Sequence, residues 1–164
     1  MQQVIVITGP CGAGKTTVAE IVAKKLGAAL LKADDVTEEL FPGLKTIYKH
    51  PEKMQELKDE VIRRAKDLHD AGTTVVIDFV VLGEYINVFK ETFGDDLVFR
   101  ALLPRMEMAI ERDAARASWT VGKKHIEELY GFFHRDEPLI GKENIIDNSD
   151  ETAEETAARI LAAV

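Results

Sequence analysis

The sequence predicts an α/β chain in which helices cover both faces of a parallel sheet. Three observations carry that expectation. The runs "QVIVIT" (3–8) and "TTVVIDFVV" (73–81) are nearly continuous β-branched stretches, the pattern of strands buried on both faces. Segments with apolar residues at helical spacing alternate with such runs, as parallel strands with helical crossovers require. Between the first run and the first helical segment stands "GPCGAGKTT" (9–17), with three glycines where Cβ atoms would ordinarily help the chain pack.

Each element has its own signature. After the glycine loop, Val18, Ala19, Val22, Ala23 and Leu26 recur at helical spacing, and Gly27 can close that helix. Ala29 to Lys32 reads as a second strand, leading to Asp34 and Asp35. Residues 36–49 mix Thr, Pro, Gly and aromatics without clean periodicity. Pro51 opens a long helix that places Met54, Leu57, Val61, Ala65 and Leu68 on a core-facing side, with Gly72 at its end. The third strand contains Asp78. A helix around Glu84 to Phe93 and a strand from Leu97 to Leu103 follow. Pro104 starts a helix carrying Met106, Ile110, Ala114 and Ala117; "SWTVGKKH" then breaks the pattern. A short helix around Ile126 to Phe133, a last strand "NIID" and a C-terminal helix complete the chain. Asn148, Ser149 or Asp150 is the expected cap of that helix, whose apolar side is Ala153, Ala157, Ile160, Leu161 and Val164.

Bulk properties bound the reading. A length of 164 residues without repeats or polar linkers predicts one domain over 1–164. The composition, 46% hydrophobic and 30% charged, is that of a soluble globular protein. No apolar run reaches membrane-spanning length, and a secretory start is not recognisable. The single cysteine, Cys11, excludes an intramolecular disulfide and fits a cytoplasmic location. A formal charge of −8 argues against the basic groove that nucleic-acid binding needs. The histidines, His50, His69, His125 and His134, show no metal-ligand spacing and read as surface residues.

The loop carries the sharpest chemistry. Gly9, four residues, then Gly14, Lys15 and Thr16 fit G-x-x-x-x-G-K-[ST] in full, flanked by a strand and a helix. Glycines let successive N–H groups turn inward as an anion nest, and the helix N-terminus adds partial positive charge. Gly9, Pro10, Cys11, Gly12, Ala13, Gly14, Lys15, Thr16 and Thr17 are therefore expected to cradle a nucleotide's phosphates. Lys15 should reach the β- and γ-phosphates, and the Thr16 hydroxyl should ligate Mg²⁺. A tight glycine turn with a chance lysine is the plainer alternative. In a parallel sheet, ligands sit at the carboxyl ends of the strands, which directs attention to residues following each strand. Asp78 suits Mg²⁺ and its waters, or else a turn cap. Asp34 and Asp35 suit an acceptor hydroxyl, or else an N-cap for a helix starting near Thr37. Arg112 and Arg116, four apart, should share a helix face and belong to a lid over roughly 112–136 that closes on phosphates. Solvated pairing with Glu111 is the plainer reading of those arginines, and it applies to Arg105 as well.

These residues resemble the small P-loop kinases, a group that includes shikimate and gluconate kinases, chloramphenicol phosphotransferase-like proteins and polynucleotide 5′-kinases, of the AAA_33 type. The resemblance rests on "GPCGAGKTT", "ADDV", "VVID", "PRMEMAIERDAAR" and "NIIDNSDETAEETAARIL", and so covers nearly the whole chain. It implies a three-layer α/β/α P-loop NTPase fold with a five-stranded parallel sheet and a short lid. It also implies transfer of the γ-phosphate of ATP, with Mg²⁺, to a hydroxyl. Asp34 falls where the family keeps a carboxylate near the acceptor, Arg112 and Arg116 where lid arginines contact ATP, and Asn148 in the loop near adenine. "DFVVLGEY" lacks the arginine with which adenylate kinases bind their acceptor nucleotide. Thr37 stands where polynucleotide kinases often carry another. Both departures favour a small, neutral or weakly charged alcohol. A nucleotide or polynucleotide 5′-kinase and a non-enzymatic nucleotide-dependent switch are the competing readings.

Overall fold

The computed structural model describes residues 2–117 and 119–164. Five strands, β1 (Val4–Thr8), β2 (Ala29–Lys32), β3 (Val75–Asp78), β4 (Leu97–Leu102) and β5 (Ile145–Ile146), form one sheet in the order β2-β3-β1-β4-β5. All four pairings are parallel. The helices are α1 (Lys15–Leu26), α2 (Ala33–Leu40), α3 (Pro51–Asp70), α4 (Glu84–Phe93), α5 (Met106–Ala114), α6 (Lys123–Arg135), α7 (Glu137–Ile140) and α8 (Ala153–Leu161).

Strand alternation divides the core between two faces. Val4, Val6, Val75 and Ile77 join Leu57, Val61, Phe89 and Phe133 beneath α3, α4 and α6. Ile5, Ile7 and Val76 join Val18, Val22, Ala157 and Ile160 beneath α1 and α8. Such two-sided burial explains why β1 and β3 read as unbroken apolar runs. The chain passes from β1 to β2 and β3 on one side, then crosses to β4 and β5 on the other. That reversal opens a crevice at the carboxyl end of β1, where residues 9–14 lie.

Several sequence expectations change in detail. The segment after β2 is helical from Ala33, so Asp34 and Asp35 occupy the first turn of α2 instead of capping a later helix. Their charge suits that position, because a helix N-terminus favours carboxylates. Helix α5 begins at Met106 and stops at Ala114, which puts Arg116 beyond it; Arg112 and Arg116 do not share a helix face. The C-terminal helix is capped by Thr152, not by Asn148, Ser149 or Asp150. Thr152 and Glu155 exchange side-chain-to-backbone hydrogen bonds in a capping box. Val164 lies past that helix and is exposed. His69 and His125 are half-buried, not surface residues. His69 meets the edge of Phe93 and pairs with Asp96.

Candidate active site

Packing explains two of the loop glycines. A Cβ on Gly9 would collide with the carbonyl oxygen of Leu102, and one on Gly12 with that of Ala109. The loop is therefore clamped between the end of β4 and the backbone of α5. Gly14, at φ 88°, is the N-cap of α1 and offers no side chain to its first turn, which also holds no acidic residue. The helix's positive end and its unpaired N–H groups are thus left for an anion. Ala13 N–H donates to the Pro10 carbonyl at 3.2 Å, and the Lys15 ammonium donates to the same oxygen at 3.1 Å. Lys15 and Cys11 are partly exposed, while Thr16 and Thr17 face solvent from the first turn of α1.

Thr16 Oγ1 donates to Asp78 Oδ2 at 2.6 Å. Parallel pairing of β3 beside β1 brings them together, since it sets Asp78 opposite Ile7, just before the loop. Asp78 is 8% exposed and ends a fully buried strand. A hydroxyl and a carboxylate are hard oxygen donors, the class Mg²⁺ takes, and at phosphate-transfer sites it needs only one or two of them beside phosphate oxygens and water. Among the described residues no group of three or more His, Cys, Asp or Glu side chains is placed to hold a metal, so the fit rests on this pair. The loop, the uncapped helix end and the Thr16–Asp78 pair fit a magnesium nucleotide.

The other expected residues fall into two groups. Arg112 and Asn148 gather on the loop: Arg112 Nη1 lies 3.5 Å from the Gly12 and Ala13 carbonyl oxygens, and Asn148 Nδ2 donates to Ala13 O at 3.0 Å. Asn148 is 4% exposed, and its Oδ1 has no partner. Asp34, Asp35 and Arg116 are exposed. The ammonium of Lys32 is held protonated chiefly by Glu20, with smaller contributions from Asp35 and Asp78, so Asp35 lies within electrostatic reach of the β2 end. Arg105 pairs at the surface with Asp150, a residue distant in sequence, and not, among the described residues, with an i,i+4 neighbour or Glu111. The span 112–136 comprises the end of α5, a connection over 115–122 and α6; Ser118 within it lies outside the described residues. Ile126 and Phe133 anchor α6 in the core.

Four supporting groups were not singled out from sequence. The buried Asp113 carboxylate accepts the Val121 N–H at 3.1 Å and the Gly122 N–H at 3.0 Å, fixing the entry to α6. Buried Asp136 accepts the Gly83 N–H at 2.7 Å, and the Arg135 guanidinium beside it holds its carboxyl below the usual range. The third and fourth are Lys58 and Arg135. They line a groove of about 430 Å³ between α3, α4 and α6, beyond the carboxyl end of β3. Lys58 Nζ lies 5.4 Å from the centre of the Tyr85 ring, and the Arg135 guanidinium 5.0 Å from that of Phe132. Only Asp113 left a signal: it stands four residues after Ala109, a carboxylate on a buried helix face.

Residues 4–86 match the family described as AAA domain, AAA_33. A cytidylate kinase of Archaeoglobus fulgidus is 31% identical over 86 residues, which cover 50% of this chain and 48% of that enzyme. The chain thus matches about half the length of that curated relative. Among solved structures, a sugar kinase from Janibacter sp. aligns with a TM-score of 0.74 at 21% identity, over 99% of this chain and 94% of that one. Shikimate kinase from Acinetobacter baumannii in complex with shikimate gives 0.73 at 20% identity, over 99% and 93%. These structural likenesses establish the three-layer fold.

Proposed function

The chain belongs to the AAA_33 family, a group of P-loop kinase-type domains, and from that premise we propose that it transfers the γ-phosphoryl group of ATP to a hydroxyl of a small molecule. The observation that carries this reading is the Thr16–Asp78 hydrogen bond directly beneath an uncapped, glycine-led helix end. Thr16 and Asp78 would hold Mg²⁺, which when bound offsets the charge of the β- and γ-phosphates. Lys15 swings from Pro10 O to the transferring phosphoryl group, and Arg112 and Asn148 flank the nucleotide from the far side of the loop. Arg116 stabilises the charge that develops during transfer.

The acceptor oxygen bonds to the γ-phosphorus as the bond to the β,γ-bridging oxygen breaks; ADP leaves, and the hydroxyl proton passes to the Asp34 carboxylate. Asp35, its neighbour, supports the substrate side of the site. The groove bearing Lys58 and Arg135 adds a contact that the sequence did not suggest. Asp136 already engages the Arg135 guanidinium and Glu84 lines the same groove, so Lys58 beside the Tyr85 ring is the cation it offers to a polar or weakly anionic group of the alcohol.

ADP formation with Mg²⁺ and ATP, followed against hydroxy acids, sugars, nucleosides and 5′-hydroxyl oligonucleotides, tests the proposal. At least one small alcohol should raise the rate over that with water alone. Stimulation by nucleosides or oligonucleotides alone would identify a nucleotide or polynucleotide kinase. A rate indifferent to every acceptor would identify a switch.

A further inference from the structure

The Tyr48 and His125 rings stack with centroids 4.0 Å apart and an interplanar angle of 21°. They come from elements far apart in sequence. Tyr48 sits in the 3-10 turn Ile47–Lys49, which leads directly into α3 and its groove-lining Gln55 and Lys58. His125 sits in the first turn of α6.

A continuous chain of contacts ties His125 back to the phosphate loop. Gly12 packs against the Ala109 carbonyl without room for a side chain, and Arg112 reaches the carbonyls of Gly12 and Ala13. The next residue, Asp113, holds the N–H groups of Val121 and Gly122, immediately before α6. Ala109, Ile126 and Tyr130 then form a small core of their own, against which Cys11 of the loop packs. Packing and hydrogen bonds therefore join the loop, α5 and the start of α6 into one block. The stack is where this block grips the segment in front of α3.

An aromatic stack contributes about 0.5–1.5 kcal/mol beyond the area it buries. That is enough to bias a closure and weak enough to be released at each turnover. The Tyr48 ring remains accessible, with 36% of the residue exposed, whereas only 17% of the His125 side chain is exposed. The pair is thus formed near the surface, not deep in the core.

We propose that Tyr48 and His125 are a positioning pair, whose stack transmits nucleotide binding at the phosphate loop to the turn that leads into α3, whose Gln55 and Lys58 line the groove. The inference rests on the kinase reading above and adds two residues that touch neither phosphate nor metal. The stack is already formed without nucleotide; a nucleotide on the loop fixes the α5–α6 block, holds His125 against Tyr48 and so keeps the turn in front of α3 ordered.

Trypsin cleavage after Lys45 and Lys49, measured with and without Mg²⁺ and ATP, tests this without knowledge of the acceptor. In the wild-type chain Mg²⁺ and ATP should slow cleavage at these sites by about tenfold. Tyr48→Ala and His125→Ala should abolish that slowing while each binds a fluorescent ADP analogue within about twofold of wild type. Tyr48→Phe and His125→Phe, which keep a ring, should restore it. Taking the ratio within each variant cancels any change in the protease's own preference near residue 48. If the alanine variants retain the slowing, or the phenylalanine variants fail to restore it, the inference is overturned. If the wild-type chain binds the analogue but shows no slowing, the inference falls alone. If it binds no nucleotide, the kinase reading falls with it.

Discussion

At the scale of single residues, Asp34 and Asp35 pose the most direct question, since both stand exposed on the first turn of α2. Successive helical residues point about 100° apart, so only one of them can be aimed at a given acceptor hydroxyl. We assign that role to Asp34, which falls where the kinases this chain resembles keep a carboxylate near the acceptor, and keep Asp35 as the control. Asparagine keeps a carboxylate's shape and loses its basicity. Asp34→Asn should therefore lower acceptor phosphorylation by about 10²- to 10⁴-fold with little change in ATP affinity. Asp35→Asn should cost far less. Steady-state kinetics beside nucleotide titration separate the two, and equal mild losses would return both residues to the role of helix-end charges. Sequence alone located this pair but misplaced its helix, because "ADDVTEEL" has too little apolar content to reveal a period that packing against α3 completes.

At the scale of elements, two glycines with nearly the same backbone angle should behave differently. Gly12 (φ +82°) lies against the Ala109 carbonyl, whereas Gly72 (φ +84°) has open space where a Cβ would go. Gly72→Ala should cost only the left-handed strain, about 1–2 kcal/mol. Gly12→Ala adds a collision between loop and helix and should cost about 2–5 kcal/mol together with nucleotide binding. Chemical denaturation of both variants measures the difference. Helix α6 supplies a pH test. Burial holds the His125 imidazole below its ordinary range, against the opposing pull of Glu128 and Asp113. The unfolded chain then takes up the proton first as pH falls. Stability is full above the ordinary histidine range and declines as pH drops through the ordinary value of about 6.5 toward the lower folded one. The melting temperature of the wild-type chain should fall more between pH 7.5 and 5.5 than that of His125→Phe, and parallel declines would contradict this. None of this was legible in "KKHIEELY". His125 stacks on Tyr48, a contact between distant segments that spacing along one helix does not encode. Arg116 shows the same limit: the i,i+4 pattern is present, but α5 ends at Ala114, where the Asp113 carboxylate is already committed to residues 121 and 122.

At the scale of the whole molecule, the parts legible in sequence are those dictated by burial on both sheet faces and by the phosphate loop. β1, β3, α1, α3 and α4 follow from apolar periodicity, and the loop from its glycine spacing. The Thr152–Glu155 cap was legible as well, being a local T-x-x-E pattern. Illegible were the parts made by tertiary approach, the Asp136–Gly83 bond and the groove of Lys58 and Arg135. In each, the residues that meet are far apart in sequence or differ little from ordinary surface charges. The loop remains the centre of the account, because the uncapped α1 terminus, the clamped glycines and the Thr16–Asp78 pair all converge on it. Lys15 faces that centre and makes no core contact, so Lys15→Ala should leave the melting temperature within about 2 °C of wild type, as surface substitutions do. The decisive measurement is acceptor-dependent ADP formation by this variant beside the wild-type chain, with Mg²⁺ and ATP saturating. The account predicts that the wild-type chain responds to acceptor and that the variant's rate is lower by about 10²-fold or more. A folded Lys15→Ala protein that transfers phosphate at the wild-type rate would contradict it.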